Sequence, residues 1–106
     1  MDSREMYNAT NHLTSVVMWD DWIHFGTGEE VKFDLVRQVI EDCLGEGEVL
    51  LIYGRTTSGQ YKREKADQII KPLLGRENFQ LWTVVMDKVI KFAAMGVLSV
   101  GKRNLQ

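Results

Sequence analysis

Apolar positions along the chain fall into separated groups, and their spacing predicts most of its elements. Val31, Leu35, Val36, Val39, Ile40, Cys43 and Leu44 recur at helical spacing and form one continuous face. Thr27 with Glu30 three residues later is a capping-box pattern, and Gly45 or Gly47 supplies a stop. Val49 to Tyr53 is an unbroken apolar run closed by Gly54, which predicts a short central strand covered on both faces. Tyr61, Ala66, Ile69, Ile70, Leu73 and Leu74 predict a second helix, with Thr57 and Gln60 as candidate caps. Pro72, the only proline, should kink or tighten its last turn, and Gly75 can end it.

The flanking segments read as strands. Val16 to Trp19 and Trp22 to Phe25 predict a hairpin turning at Asp20-Asp21. Alternation puts Ile23 and Phe25 on one face and Trp22 and His24 on the other. With the first pair turned to the core, Trp22 points outward. Phe79 to Met86, Val89 to Phe92 and Val97 to Val100 predict three further strands. Residues 1–12 read as a loose polar lead-in and residues 102–106 as a loose basic tail. The expected order is ββαβαβββ: an α+β domain with a mixed, mostly antiparallel sheet and two helices.

Length adds that the 106 residues form a single domain, large enough to bury a core without staples. Cys43 is the only cysteine, so no internal disulfide can form, which fits a reducing compartment. It falls on the apolar helix face and is expected in the core. No apolar stretch has the length of a signal peptide's core or a membrane span, and the expectation is a soluble, cytoplasmic protein.

Charge changes the picture more. Residues 1–54 carry eleven acids against three bases, and residues 55–106 carry ten bases against four acids. The total of −2 hides a split of −8 and +6. Such asymmetry speaks of partners rather than fold. Two features concentrate the acids. Trp19-Asp20-Asp21-Trp22 places two carboxylates between two indoles, the residue type most enriched in binding hot spots. Glu30, Asp34, Arg37 and Glu41, with Asp42 adjacent, make an acidic stripe along the first helix.

Candidate chemistry is sparse. Gly54-Arg55-Thr56-Thr57-Ser58-Gly59 has the glycine spacing of a phosphate loop between a strand and a helix. Gln60 and Tyr61 stand where the lysine and the metal-holding hydroxyl are needed, which excludes nucleotide hydrolysis. A weaker anion site remains, built from Arg55, Thr56, Thr57, Lys62, Arg63 and the amides of the helix start. His12 and His24 lie at no metal-ligand spacing, and His24 beside Asp20-Asp21 reads as an ordinary surface histidine. No hydrolase, zinc, redox or calcium motif is present. The sequence therefore predicts neither an enzyme nor a cofactor.

In size, charge display and lack of catalytic motif the chain resembles the immunity proteins that bacteria pair with secreted nuclease toxins of the colicin or contact-dependent-inhibition type. The resemblance is one of type across the whole chain. It rests on Trp19-Asp20-Asp21-Trp22 and on Glu30, Asp34, Glu41 and Asp42, not on a family motif. It implies tight inhibition of a basic partner, with carboxylates standing in for phosphates and steering the encounter. The alternative is a nucleic-acid or phosphate-ligand module using the basic half. A head-to-tail oligomer joining acidic to basic sides is a third expectation.

Overall fold

The computed structural model describes residues 2–55 and 57–103. In chain order the elements are α1 (Ser3–Leu13), β1 (Val17–Trp19), β2 (Ile23–His24), α2 (Phe33–Leu44), β3 (Glu48–Ile52), β4 (Gly59–Lys62), α3 (Arg63–Ile70), β5 (Phe79–Thr83), β6 (Lys88–Ala93) and β7 (Val97–Arg103). The α+β class stands. Among the described residues three α-helices replace the expected two, and every strand pairing is antiparallel. The sheet runs β1-β7-β6-β5-β3-β4, with β2 also on β7.

Both sheet faces carry a core. On one, Val49, Leu51, Leu81, Ile90, Phe92 and Leu98 meet Val36, Ile40 and Leu44 of α2 and Ala66 and Ile70 of α3. Phe92 stacks on Phe79 at 4.5 Å and takes the edge of Phe25 at 5.9 Å. On the other face, Leu50, Ile52, Trp82 and Val89 pack with Met6 of α1 and Val17 of β1. β3 is thus buried on both sides, as its unbroken apolar run predicts.

The first correction is α1. Residues 3–13, expected as a loose lead-in, form a helix that covers the second core. The Asp2 carboxylate accepts from the Glu5 amide at 2.9 Å, a bond that also holds this carboxyl below its ordinary range. Thr10 lies in the helix's buried face and donates to the Met6 carbonyl at 2.8 Å, which satisfies its hydroxyl. Only Met6 and Thr10 are fully buried, so the apolar stripe is too thin to read.

The other helices differ at their starts. Gly28–Glu30 forms a separate 3-10 turn, the Thr27 side chain makes no capping bond, and α2 begins at Phe33. Gly45 ends α2 at φ 70°, its amide donating to the Glu41 carbonyl. Gly59–Lys62 pairs with β3 instead of opening α3, and Pro72 tightens the end of α3 into the 3-10 turn Lys71–Leu73. At the C-terminus, Lys102 and Arg103 belong to β7 rather than to a tail, and residues 104–106 lie outside the described residues.

Candidate functional site

β1 and β2 are not a hairpin. Both pair antiparallel with β7, so they form one interrupted edge strand. Trp19 is opposite Gly101 and Ile23 is opposite Leu98, so three residues on the edge face two on β7. The extra residue is a β-bulge. It is tied at its first residue: the Asp20 amide donates to the Val100 carbonyl at 2.8 Å, and the buried Ser99 hydroxyl donates to the Asp20 carbonyl at 2.7 Å. The bulge pushes Asp20, Asp21 and Trp22 into solvent, with Trp22 52% exposed. Ile23 stays partly buried and Phe25 is fully buried, which agrees with the outward placement expected for Trp22. A charged bulge also blocks further strand addition at this edge.

Of the other expected contact residues, Asp42 alone joins this edge. Asp20 and Asp42 line a shallow cleft of about 260 Å³ with Ile23, Val39, Cys43 and Val100. Gln38 donates to the Asp42 carboxylate at 2.9 Å and orients it. The cleft continues, about 370 Å³ more, past Met18 to Lys88 and Lys102, which are cross-strand neighbours. The charge split in sequence is therefore not a split in space, because β6 and β7 lay Lys88 and Lys102 beside the acidic edge.

The remaining acids lie elsewhere. Glu41 faces a separate cleft with Glu46, Glu48, Glu64 and Asp67 on the α3 side of α2. Asp34 sits eight residues before Asp42, roughly 12 Å along the helix. Glu30 lies in the preceding 3-10 turn. Trp19 is on the opposite sheet face, half-buried, closing over Gly101 with the Lys91 ammonium 5.6 Å from its ring. Acids spread around a helix read as one stripe in sequence, but α2 packs between two neighbours and divides them.

Cys43 is half-buried at the cleft floor rather than deep in the core. Burial pushes its thiol up to about 11 from an ordinary 9.0, with Lys88 opposing and Asp87 and Asp20 reinforcing. An unfolded thiol ionises first, so this group's contribution to stability is intact below pH 9 and is lost as pH rises toward 11. At pH 8 a disulfide reagent should label native Cys43 far more slowly than the urea-unfolded chain. Equal rates would contradict the protonated, half-buried thiol.

The expected anion-site residues lie in a different local structure. The Gly54–Gly59 segment is a hairpin loop, not a strand-to-helix turn. Ser58 donates its amide to the Ser3 hydroxyl at 2.9 Å and its own hydroxyl to the Gly54 carbonyl at 2.6 Å. The Thr57 amide also points to Gly54, and the Arg55 carbonyl accepts from Ser3. Arg63 turns away to donate to the Gly45 carbonyl at the end of α2, and Lys62 sits opposite Glu48. Thr56 lies outside the described residues. The Thr57 and Ser58 amides are thus engaged within the fold.

No family model, curated protein or solved structure matches the chain. Its site is legible only from its own geometry. Among the described residues no cluster of three or more His, Cys, Asp or Glu could hold a metal, and no helix is long and apolar enough to cross a membrane. Ser99, Met18, Lys88 and Lys102 are the members that sequence reasoning missed. Nothing local marks them, since the Ser99 to Asp20 bond spans 79 residues.

Proposed function

We propose that this chain is a small protein-binding inhibitor of the immunity type, docking on a basic, nuclease-type partner through the Asp20-Asp21-Trp22 bulge and Asp42. The bulge is the observation that carries it. Two carboxylates and a half-exposed indole are held outward on an edge that cannot extend by strand pairing. Met18, 56% exposed on the same edge, adds apolar area beside them. An indole anchor ringed by acids combines packing energy with electrostatic steering. The aspartates would occupy sites where the partner's lysines and arginines hold phosphates. Such an inhibitor acts in the cytoplasm, where a nuclease meets its substrate, and needs no catalytic residue or cofactor of its own.

The test is a pull-down from the source organism with wild type and with Asp20→Ala/Asp21→Ala/Trp22→Ala as baits. Wild type should retain a basic protein that the triple variant loses, a drop in affinity of roughly a hundredfold or more. Capture should weaken with added salt. Equal retention by both baits would remove the bulge from the interface.

A further inference from the structure

The other side of the sheet carries a second, chemically different concavity. It lies between the C-terminal half of α1 and the strands β5 and β6, with a volume of about 350 Å³. Tyr7, Thr10 and Asn11 form one wall, Gln80 and Lys91 the other, and Met95 stands at the mouth, 78% exposed. Ile52 and Ala93 contribute apolar lining. The size falls at the lower end of small-ligand sites.

Tyr7 and Asn11 offer both donors and acceptors, while the groups on the sheet side present donors. The Gln80 amide oxygen already accepts from the Trp82 indole at 2.8 Å, so its free atom is the NH2 donor. The Asn78 amide oxygen, at the same rim, accepts from the Ala94 amide at 2.7 Å, which orients its NH2 as a donor. Thr10 directs its hydroxyl proton into α1's own carbonyls. Lys91, whose ammonium also stands 5.6 Å from the Trp19 ring, adds a cation, and among the described residues no Asp or Glu lines the groove. In a chain with net charge −2, a groove with one cation and amide donors at its rim is selective for an anion.

We infer that this groove binds a small monocarboxylate with an apolar body: the carboxylate on Lys91 and the Gln80 amide, the body along Ile52, Ala93 and Tyr7. A single cation suits a single negative charge. The site shares no residue with the acidic cleft, so its test is independent of the partner-binding proposal.

The test follows backbone amides of the full chain by NMR during titration with benzoate, benzamide and inorganic phosphate. Benzoate should shift the Tyr7, Gln80, Lys91 and Ala93 amides saturably, with a dissociation constant on the order of 1 mM. Benzamide, which lacks the charge, should bind about tenfold more weakly. Lys91→Met should lose benzoate to the same extent, Lys91→Arg should retain it, and Ala93→Leu should fill the groove and abolish it. Thermal unfolding of each variant separates loss of binding from loss of fold. Scattered shifts, an equal response to benzamide, tighter binding of phosphate, or unchanged binding by folded Lys91→Met would each overturn the assignment.

Discussion

Trp82→Ala should lower the unfolding free energy by about 3–5 kcal/mol, a large share of the roughly 5–15 kcal/mol that holds a domain of this size. Trp82 is fully buried at the centre of the sheet, between Leu50 of β3 and Val89 of β6. It belongs to the second core, beneath Met6 of α1, and its indole N–H is satisfied by Gln80. Truncation removes the largest side chain of that layer and leaves a void that flanking strands cannot close. Urea unfolding followed by far-ultraviolet circular dichroism measures the loss without relying on the deleted fluorophore. A loss below about 1 kcal/mol would mean that α1 does not cover this face.

Gly96→Val should be comparably damaging for a different reason. Gly96 has φ 89°, and a Cβ there would lie 2.7 Å from the Gly26 carbonyl oxygen and 2.8 Å from its carbon. Backbone cannot swing aside as a side chain can. Gly96 also accepts from the Phe25 and Gly26 amides at 2.8 and 3.1 Å, which anchors the end of the edge strand beside the core ring of Phe25. The combined strain and clash should cost at least about 3 kcal/mol, a fall in melting temperature of roughly 15 °C. Gly28→Ala is the control, because its φ is also positive at 59° but nothing lies within 4 Å of the added carbon. Scanning calorimetry should find Gly28→Ala only slightly destabilised. Similar losses for both would reduce the Gly96 effect to backbone strain alone.

The elements that read cleanly from sequence are those whose own residues bury themselves. α2 shows Val36, Ile40 and Leu44 at four-residue spacing, and β3 has an apolar run covered on both sides. α1 escaped because one of its two buried residues is a threonine. The bulge escaped because β1 and β2 are defined by β7, some eighty positions away, and local pattern cannot distinguish a hairpin turn from a bulge at Asp20-Asp21. The phosphate-loop spacing misled for the same reason. Gly59–Lys62 has a partner in β3 that outweighs its tendency to begin a helix. Of the site, the outward Trp22 was legible through alternation, whereas Asp20 and Asp21 read as a hairpin turn. The company of Asp42, Lys88 and Lys102 required the fold.

On the proposed function, the bulged acidic edge neutralises a basic nuclease. The most direct measurement is the nuclease activity of the captured basic protein, titrated with the purified chain. Wild type should abolish activity at one equivalent, and Asp20→Ala/Asp21→Ala/Trp22→Ala should need roughly a hundredfold excess. Full activity in the presence of saturating wild-type chain, or equal inhibition by the triple variant, would contradict it.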